Sequence, residues 1–340
     1  MNLSEVQDEI RLKKAKQVIA VCWDSILDVR LDVCAKQFET LKEDLEILRY
    51  SEWMIDIELI ERCIALWHEK SNAEIDFTSL EAYCSYMNSK QYSMFHIIKG
   101  WINQDESCFE YAIRIEPCAF YFYAYGMYLI GCGEYVKGIV QFQRSYDEAM
   151  KDSKLYSSMH AKYAMGIAYA NLDEESLMYQ SFRQSMEYAK ALHEDKLCEM
   201  AYYNIGATYL SHGKIEEAYT YLKKGYHGNY LDDHKLAICL EAMNLKEEAK
   251  EYLHHGLLQK EQMDEVEILM LEVVQYRIDH EQYLEDAEYH EQIKRLFQLL
   301  KTKKPKGFSA FHLKYVLEVL EQERKYKEAY LLLKEFSNNY

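Results

Sequence analysis

Four side chains have the type and spacing to hold an extended peptide: Tyr123, Tyr163, Tyr203 and Asn204. The tyrosines stand forty residues apart. A tyrosine packs its ring and wets its hydroxyl, which suits a groove between helices. Asn204 adjoins the last of them, and its amide donates and accepts at once, as a peptide backbone requires. Each also has a plainer reading. The tyrosines could fill packing seams, and Asn204 could hydrogen-bond between helices. The other polar clusters offer less. His254 and His255 are adjacent, and neighbouring helix residues do not face each other, so the pair cannot chelate a metal alone. Lys301, Lys303, Lys304 and Lys306 could meet a phosphate-bearing partner but read first as a solvated loop. Arg11, Lys13, Lys14 and Lys16 read as a wet helix face. No HExxH, P-loop, GxSxG or paired-cysteine motif is present. We therefore expect no catalytic residue, no bound metal and no cofactor.

The elements that carry these side chains are repeats. Three residues after each tyrosine comes a glycine: Gly126, Gly166 and Gly206. Sixteen residues further on stands a bulky apolar residue, Phe142, Phe182 or Leu222, and three beyond that a small one, Ser145, Ser185 or Gly225. Each copy reads as two helices. In the third, Gly213 stands where the first helix should end in a left-handed cap. Ala218, Leu222 and Gly225 share one face of the second helix. The pattern resembles the tetratricopeptide repeat, with Gly138 and Met178 replacing its alanine in the first two copies. The expected fold class is all-α: a tetratricopeptide-like α-solenoid behind an N-terminal helical bundle.

Composition agrees. Two prolines and 12 glycines in 340 residues favour long helices with short turns. The formal charge of −17 disfavours direct nucleic-acid binding. The N-terminal stretch is charged from residue 5 and shows no signal peptide, and no run approaches a membrane span. Nine scattered cysteines suit reduced thiols. The chain is expected to be cytoplasmic, with no membrane partner.

Residues 1–72 are expected to form a three-helix bundle and residues 73–340 the repeat domain. Ile10, Val18, Val21 and Trp23 mark the first helix. Val33, Phe38, Leu41, Leu45 and Leu48 mark a long second one, with a turn around Ser25–Leu31. Ile57, Ile60, Ile64 and Trp67 mark a third, which ends at Ser71–Asn72. A divergent repeat over 77–117 ends in Phe109, Ala112 and Pro117. The segment 227–233 reads as a polar break. Ala249, Leu253 and Gly256 renew the second-helix pattern, residues 264–300 give two more helices, and 301–307 reads as a loop. Ala329, Leu333 and Phe336 close a last repeat.

This layout resembles the Rap proteins, members of the Gram-positive peptide-pheromone receptors that include the NprR, PlcR and Rgg types. The segment Asp44–Met54 is similar to the stretch that joins the second and third bundle helices of Rap proteins. Asn204 stands where they carry a repeat asparagine that holds the signalling peptide. The resemblance implies a short signalling peptide in the concave groove, lined by Tyr123, Tyr163, Tyr203 and Asn204. It also implies control of a response regulator or other regulatory protein by direct contact. Rap phosphatases place a glutamine just after the aspartate that matches Asp44, whereas this chain has Leu45, so the resemblance favours sequestration over catalysis. Residues 1–72 show no helix-turn-helix domain of the kind the family's transcription factors carry. A repeat scaffold that assembles proteins without any ligand is the alternative.

Overall fold

In the computed structural model the described residues are 3–48, 51–67, 78–304 and 306–337, and their side chains are described except at 3–10, 46, 47 and 337. Among them every regular element is helical. In chain order they are α1 (Leu3–Leu27), α2 (Leu31–Glu39), α3 (Leu45–Leu48), α4 (Met54–Trp67), α5 (Thr78–Ala82), α6 (Ser89–Asn103), α7 (Glu106–Ile115), α8 (Ala119–Gly131), α9 (Tyr135–Lys151), α10 (Leu155–Asn171), α11 (Glu175–Leu192), α12 (Asp195–Ser211), α13 (Ile215–Lys224), α14 (Tyr230–Ala242), α15 (Lys246–Leu257), α16 (Glu265–Asp279), α17 (Ala287–Lys303), α18 (Lys306–Gln322) and α19 (Tyr326–Ser337). The expected all-α fold is the observed one. No helix among the described residues is long and apolar enough to cross a membrane. The chain divides into two compact units, residues 1–168 with 180–193, and residues 169–179 with 194–340. The expected boundary at 72/73, and the helix end at Ser71–Asn72, lie outside the described residues.

In the first unit the repeat register sets the helix spacing. A methyl group at Gly126 would lie 2.5 Å from the Phe142 ring, and one at Gly166 would lie 2.7 Å from Phe182. Only a bare backbone lets each ring sit against the preceding helix. The small residues three beyond the rings tie the same pairs together. Ser145 donates to the Ala119 carbonyl and Ser185 to the Met159 carbonyl, both at 2.8 Å. Tyrosines fill the seams and satisfy their tips: Tyr121 donates to the Lys90 carbonyl, Tyr125 to Glu106 and Tyr128 to the Gln104 carbonyl.

The N-terminal helices join this packing. Trp23 Nε1 and Gln91 Nε2 both donate to Asp56 Oδ1, at 2.8 and 3.0 Å, which binds α1 and α6 to α4. Asp28 accepts from the backbone and hydroxyl of Ser157, each at 3.1 Å, and so fixes the α1–α2 turn on α10. The buried face of α1 is Ala15, Ile19, Cys22 and Ile26, at helical spacing. Val21 and Val33, expected inside, are exposed, because they lie off the inward stripes, which are Ile19, Cys22 and Ile26 on α1 and Leu31, Cys34 and Phe38 on α2. The expected long second helix stops at Glu39 and resumes only as α3. Thr40 folds its hydroxyl back onto the Gln37 carbonyl, a local bond that competes with helix continuation.

One turn design recurs. At Val29, Gly133, Ser153, Asp173, Gly213, Asn244 and Arg324 the backbone is left-handed. The next residue's N–H reaches the carbonyl five positions back, as in Lys214 to Tyr209 and Lys325 to Leu320. This closure satisfies the orphan carbonyls of a helix end within two residues. The chain can then start the next helix at once.

Three expectations fail in the second unit. The segment 227–233 is no mere break, because Asn229 caps α14 by accepting from the N–H groups of Leu231 and Asp232. The stretch 301–307 is mostly helical. Lys301 and Lys303 complete the last turn of α17, where cations meet the helix dipole favourably, and α18 begins at Lys306. In α19, Ala329 is buried as expected, but Leu333 is exposed.

Candidate functional site in the first helices of the repeats

Of the four residues singled out by sequence, Tyr123 and Tyr163 fall in the first unit and Tyr203 and Asn204 in the second. Tyr123 is 8% exposed, with its ring against Phe142 at 5.9 Å and His160 at 6.2 Å. Burial pushes its phenol above the usual range, and His160 drops to about 4 for the same reason. Tyr163 is half-buried against Phe182. Tyr203 is half-buried over the apolar cluster of α12–α16, and burial raises its phenol too. Asn204 is half-buried, and its backbone carbonyl accepts from the Thr208 hydroxyl.

The register extends these positions along the second unit. Gly206 lies twelve residues ahead of Ala218; the same interval ahead of Ala249 and Ala329 reaches Ala237 and Leu317. Counting back three and two residues gives Tyr203 and Asn204 on α12, His234 and Lys235 on α14, and Lys314 and Tyr315 on α18. The positions equivalent to Tyr203 and Asn204 thus carry an imidazole, two ammonium groups and a phenol.

These groups meet. His234 is wholly buried, and neither ring nitrogen has a hydrogen-bond partner. Its ring stacks on His312 at 5.4 Å and 24°. His312 donates Nδ1–H to the Phe308 carbonyl at 2.8 Å, which leaves its Nε2 unpartnered. Lys235 is 8% exposed, and its ammonium stands 2.8 Å from the centre of the Phe311 ring, which is half-buried. No carboxylate among the described residues pairs with it. On α16, Arg277 is 4% exposed and makes a bidentate pair with Glu241, at 2.7 and 2.6 Å. Its guanidinium lies 4.2 Å over Tyr315. Burial, then neighbouring cations, drive His234 and Lys235 well below their usual ranges. Burial and then Lys235 take His312 down to about 3.

The nearby aspartates are already committed. Asp232 accepts from His227 N–H and the Asn229 amide, and Asp233 accepts from Tyr226 and pairs with His255. His255 therefore stands over Asp233, while His254 points to solvent, and no group of three metal-ligating side chains exists among the described residues. The basic run is also neutralised. Lys301 pairs with Glu335, Lys303 with Glu265, Lys304 with Asp264 and Glu267, and Lys306 covers Phe336. In the N-terminal region, Arg11 reaches Asp44 at 3.9 Å.

No protein-family model and no curated protein matches the sequence. Solved structures do match it in fold. A Rap protein complexed with Competence and Sporulation Factor aligns over 96% of this chain and 98% of its own, at 13% identity and a TM-score of 0.71. Aspartyl phosphate phosphatase F from Bacillus subtilis aligns over 95% and 93%, at 12% identity and 0.61. The Rap conjugation gene regulator of plasmid pLS20, in complex with the Phr* peptide, aligns over 95% of both chains, at 14% and 0.59. The chain thus has the fold of the Rap proteins along nearly its whole length.

Proposed function

We propose that this chain is a cytosolic receptor for a short signalling peptide and that it controls a regulatory protein, such as a response regulator, by direct contact. The observation that carries this reading is the polar cluster of α14, α16 and α18. A ligand-free scaffold gains nothing from an unpaired lysine and two histidines buried among its first helices, since each costs stability. A ligand that completes their bonds makes sense of them. Solved relatives in fold were captured with Competence and Sporulation Factor and with the Phr* peptide, which supports the same reading. In the proposal the peptide runs past Tyr123, Tyr163 and Tyr203, and Asn204 pairs with its backbone. Binding shifts the chain between two states by preferring one of them, and the N-terminal helices transmit the change.

The proposal includes no catalysis. A fold relative is named a phosphatase, but Leu45 follows Asp44 here, and a hydrocarbon side chain cannot orient an attacking water. Direct binding of nucleic acid is not part of the reading either. The test is a thermal-shift screen of free-acid pentapeptides against the full chain, with calorimetry of the hits. At least one sequence class should bind at one peptide per chain. If none binds while a regulatory protein still forms a stable complex, the ligand-independent scaffold replaces this proposal.

A further inference from the structure

Lys235 has no counter-charge of its own among the described residues. Arg277 and Lys314 stand around the cluster with Glu241, Glu318 and Glu321. Glu241 is taken by Arg277. Asp232 and Asp233, on the same helix as Lys235, are held by other groups. Lys235 itself is more than nine-tenths buried and pairs with no carboxylate among the described residues. The Phe311 ring offers it a π face, but such a contact returns only part of what burying an ammonium costs. Beside it, His234 presents two ring nitrogens with no partner. The exposed Lys314 lies 5.9 Å from the centre of the same ring, which gives the cluster a charged approach from solvent.

We infer that Lys235 and His234 form a receptor for a single carboxylate, which enters past Phe311 and takes the place of its ring against the ammonium. A carboxylate fits for three reasons. Its charge complements an ammonium that has no carboxylate partner among the described residues. Its two oxygens accept from the lysine N–H and an imidazole N–H together, as charge-assisted bonds. Both groups border the ring it would displace, Lys235 at 2.8 Å and the His234 ring at 6.2 Å from the centre of Phe311. The inference deepens the peptide-receptor reading and rests on it for the carrier of the carboxylate, either an acidic side chain or a C-terminus. The site itself is testable without a peptide.

The first probe is sodium glutarate, compared with sodium chloride and sodium phosphate at equal ionic strength, on the full chain. Glutarate should raise the melting midpoint by a few degrees above chloride, since a ligand that binds only the folded state stabilises it. Lys235→Met should melt higher than the parent in chloride and show no glutarate response, with Lys235→Gln as a second variant should the first fold poorly. An undiminished response in either variant, or a larger one to phosphate, overturns the assignment. The second probe is a pair of pentapeptide libraries, one free-acid and one C-terminally amidated. Binding confined to free acids identifies the terminus as the carrier, and binding of amidated peptides only when they contain Asp or Glu identifies a side chain. If amidated peptides free of Asp and Glu bind parent and Lys235→Met alike, the carboxylate site is wrong and the peptide receptor stands. If glutarate acts and no peptide binds, the site stands and the peptide receptor falls.

Discussion

Adding one methyl group at Gly225 tests how closely the third repeat is packed. A Cβ there would lie 2.5 Å from the Glu199 carbonyl oxygen and 2.6 Å from the Tyr203 nitrogen. Both are backbone atoms, so no rotamer change relieves the contact, and α12 and α13 must part. Overpacking of this kind costs about 1–3 kcal/mol, and a rigid backbone obstacle places Gly225→Ala at the upper end. The same position in the two earlier copies holds Ser145 and Ser185, whose hydroxyls donate at 2.8 Å to carbonyls 26 residues back. Glu199 is the residue at that interval from Gly225. Gly225→Ser should therefore recover about 1 kcal/mol through the same hydrogen bond once the helices have moved apart. For a unit of about 150–250 residues each kcal/mol shifts the midpoint by roughly 2–4 °C. The alanine variant should then melt about 5–10 °C lower, and the serine variant a few degrees above alanine. Gly307→Ala serves as the control. It lies in the first turn of α18 with nothing within 4 Å of the added methyl, so it should gain about 0.5–1 kcal/mol. Scanning calorimetry of the four proteins decides the matter. A neutral Gly225→Ala, or a serine variant below alanine, would refute the shared register of the three copies.

Three further outcomes are expected. His312 falls to about 3 in the folded chain, and an unfolded histidine titrates near ~6.5; the folded state thus binds fewer protons below that value, and its advantage, complete above it, is lost as pH drops toward the folded value. That amounts to about 2 kcal/mol between pH 7 and 5, so urea midpoints should fall less steeply over this range in His312→Phe, and equal slopes would contradict the assignment. Asn204→Ala should weaken peptide binding by roughly tenfold or more, about 1–3 kcal/mol, while the melting midpoint holds; a variant that melts early and binds normally returns Asn204 to packing. Incubation with phosphorylated response regulators should not speed phosphate loss, and clear acceleration would show that Leu45 is the wrong residue to compare with the family's glutamine.

The repeats from α8 to α13 were legible because a glycine against a ring leaves a fixed interval in the sequence. Gly126 with Phe142 and Gly166 with Phe182 keep that interval because any methyl would collide with the ring. The helix α14 was not legible, because the interval changes there. Ala218 and Ala249 are 31 residues apart rather than 40, and α14 opens with Asp232, Asp233, His234 and Lys235. Polar residues carry no sign of burial in their order, and only the capping residue Asn229 announces the helix. Asn204 could therefore be singled out by its neighbours as a candidate, while His234 and Lys235, at the same places one repeat later, could not. The turns divide in the same way. Gly213 declares a left-handed end, whereas Ser153, Asn244 and Arg324 adopt one without glycine.

Those non-glycine turns mark where the molecule has stability in reserve. A side chain in the left-handed region strains its own backbone, and Ser153 and Arg324 do so with exposed side chains that bury nothing in return. Val29 is different, since its side chain is 2% exposed and anchors the turn that holds Asp28 on Ser157. Glycine at 153 and 324 would relax two turns without touching the core or the polar cluster. An engineer seeking a hardier version of this chain would begin in its loops and leave its buried charges alone.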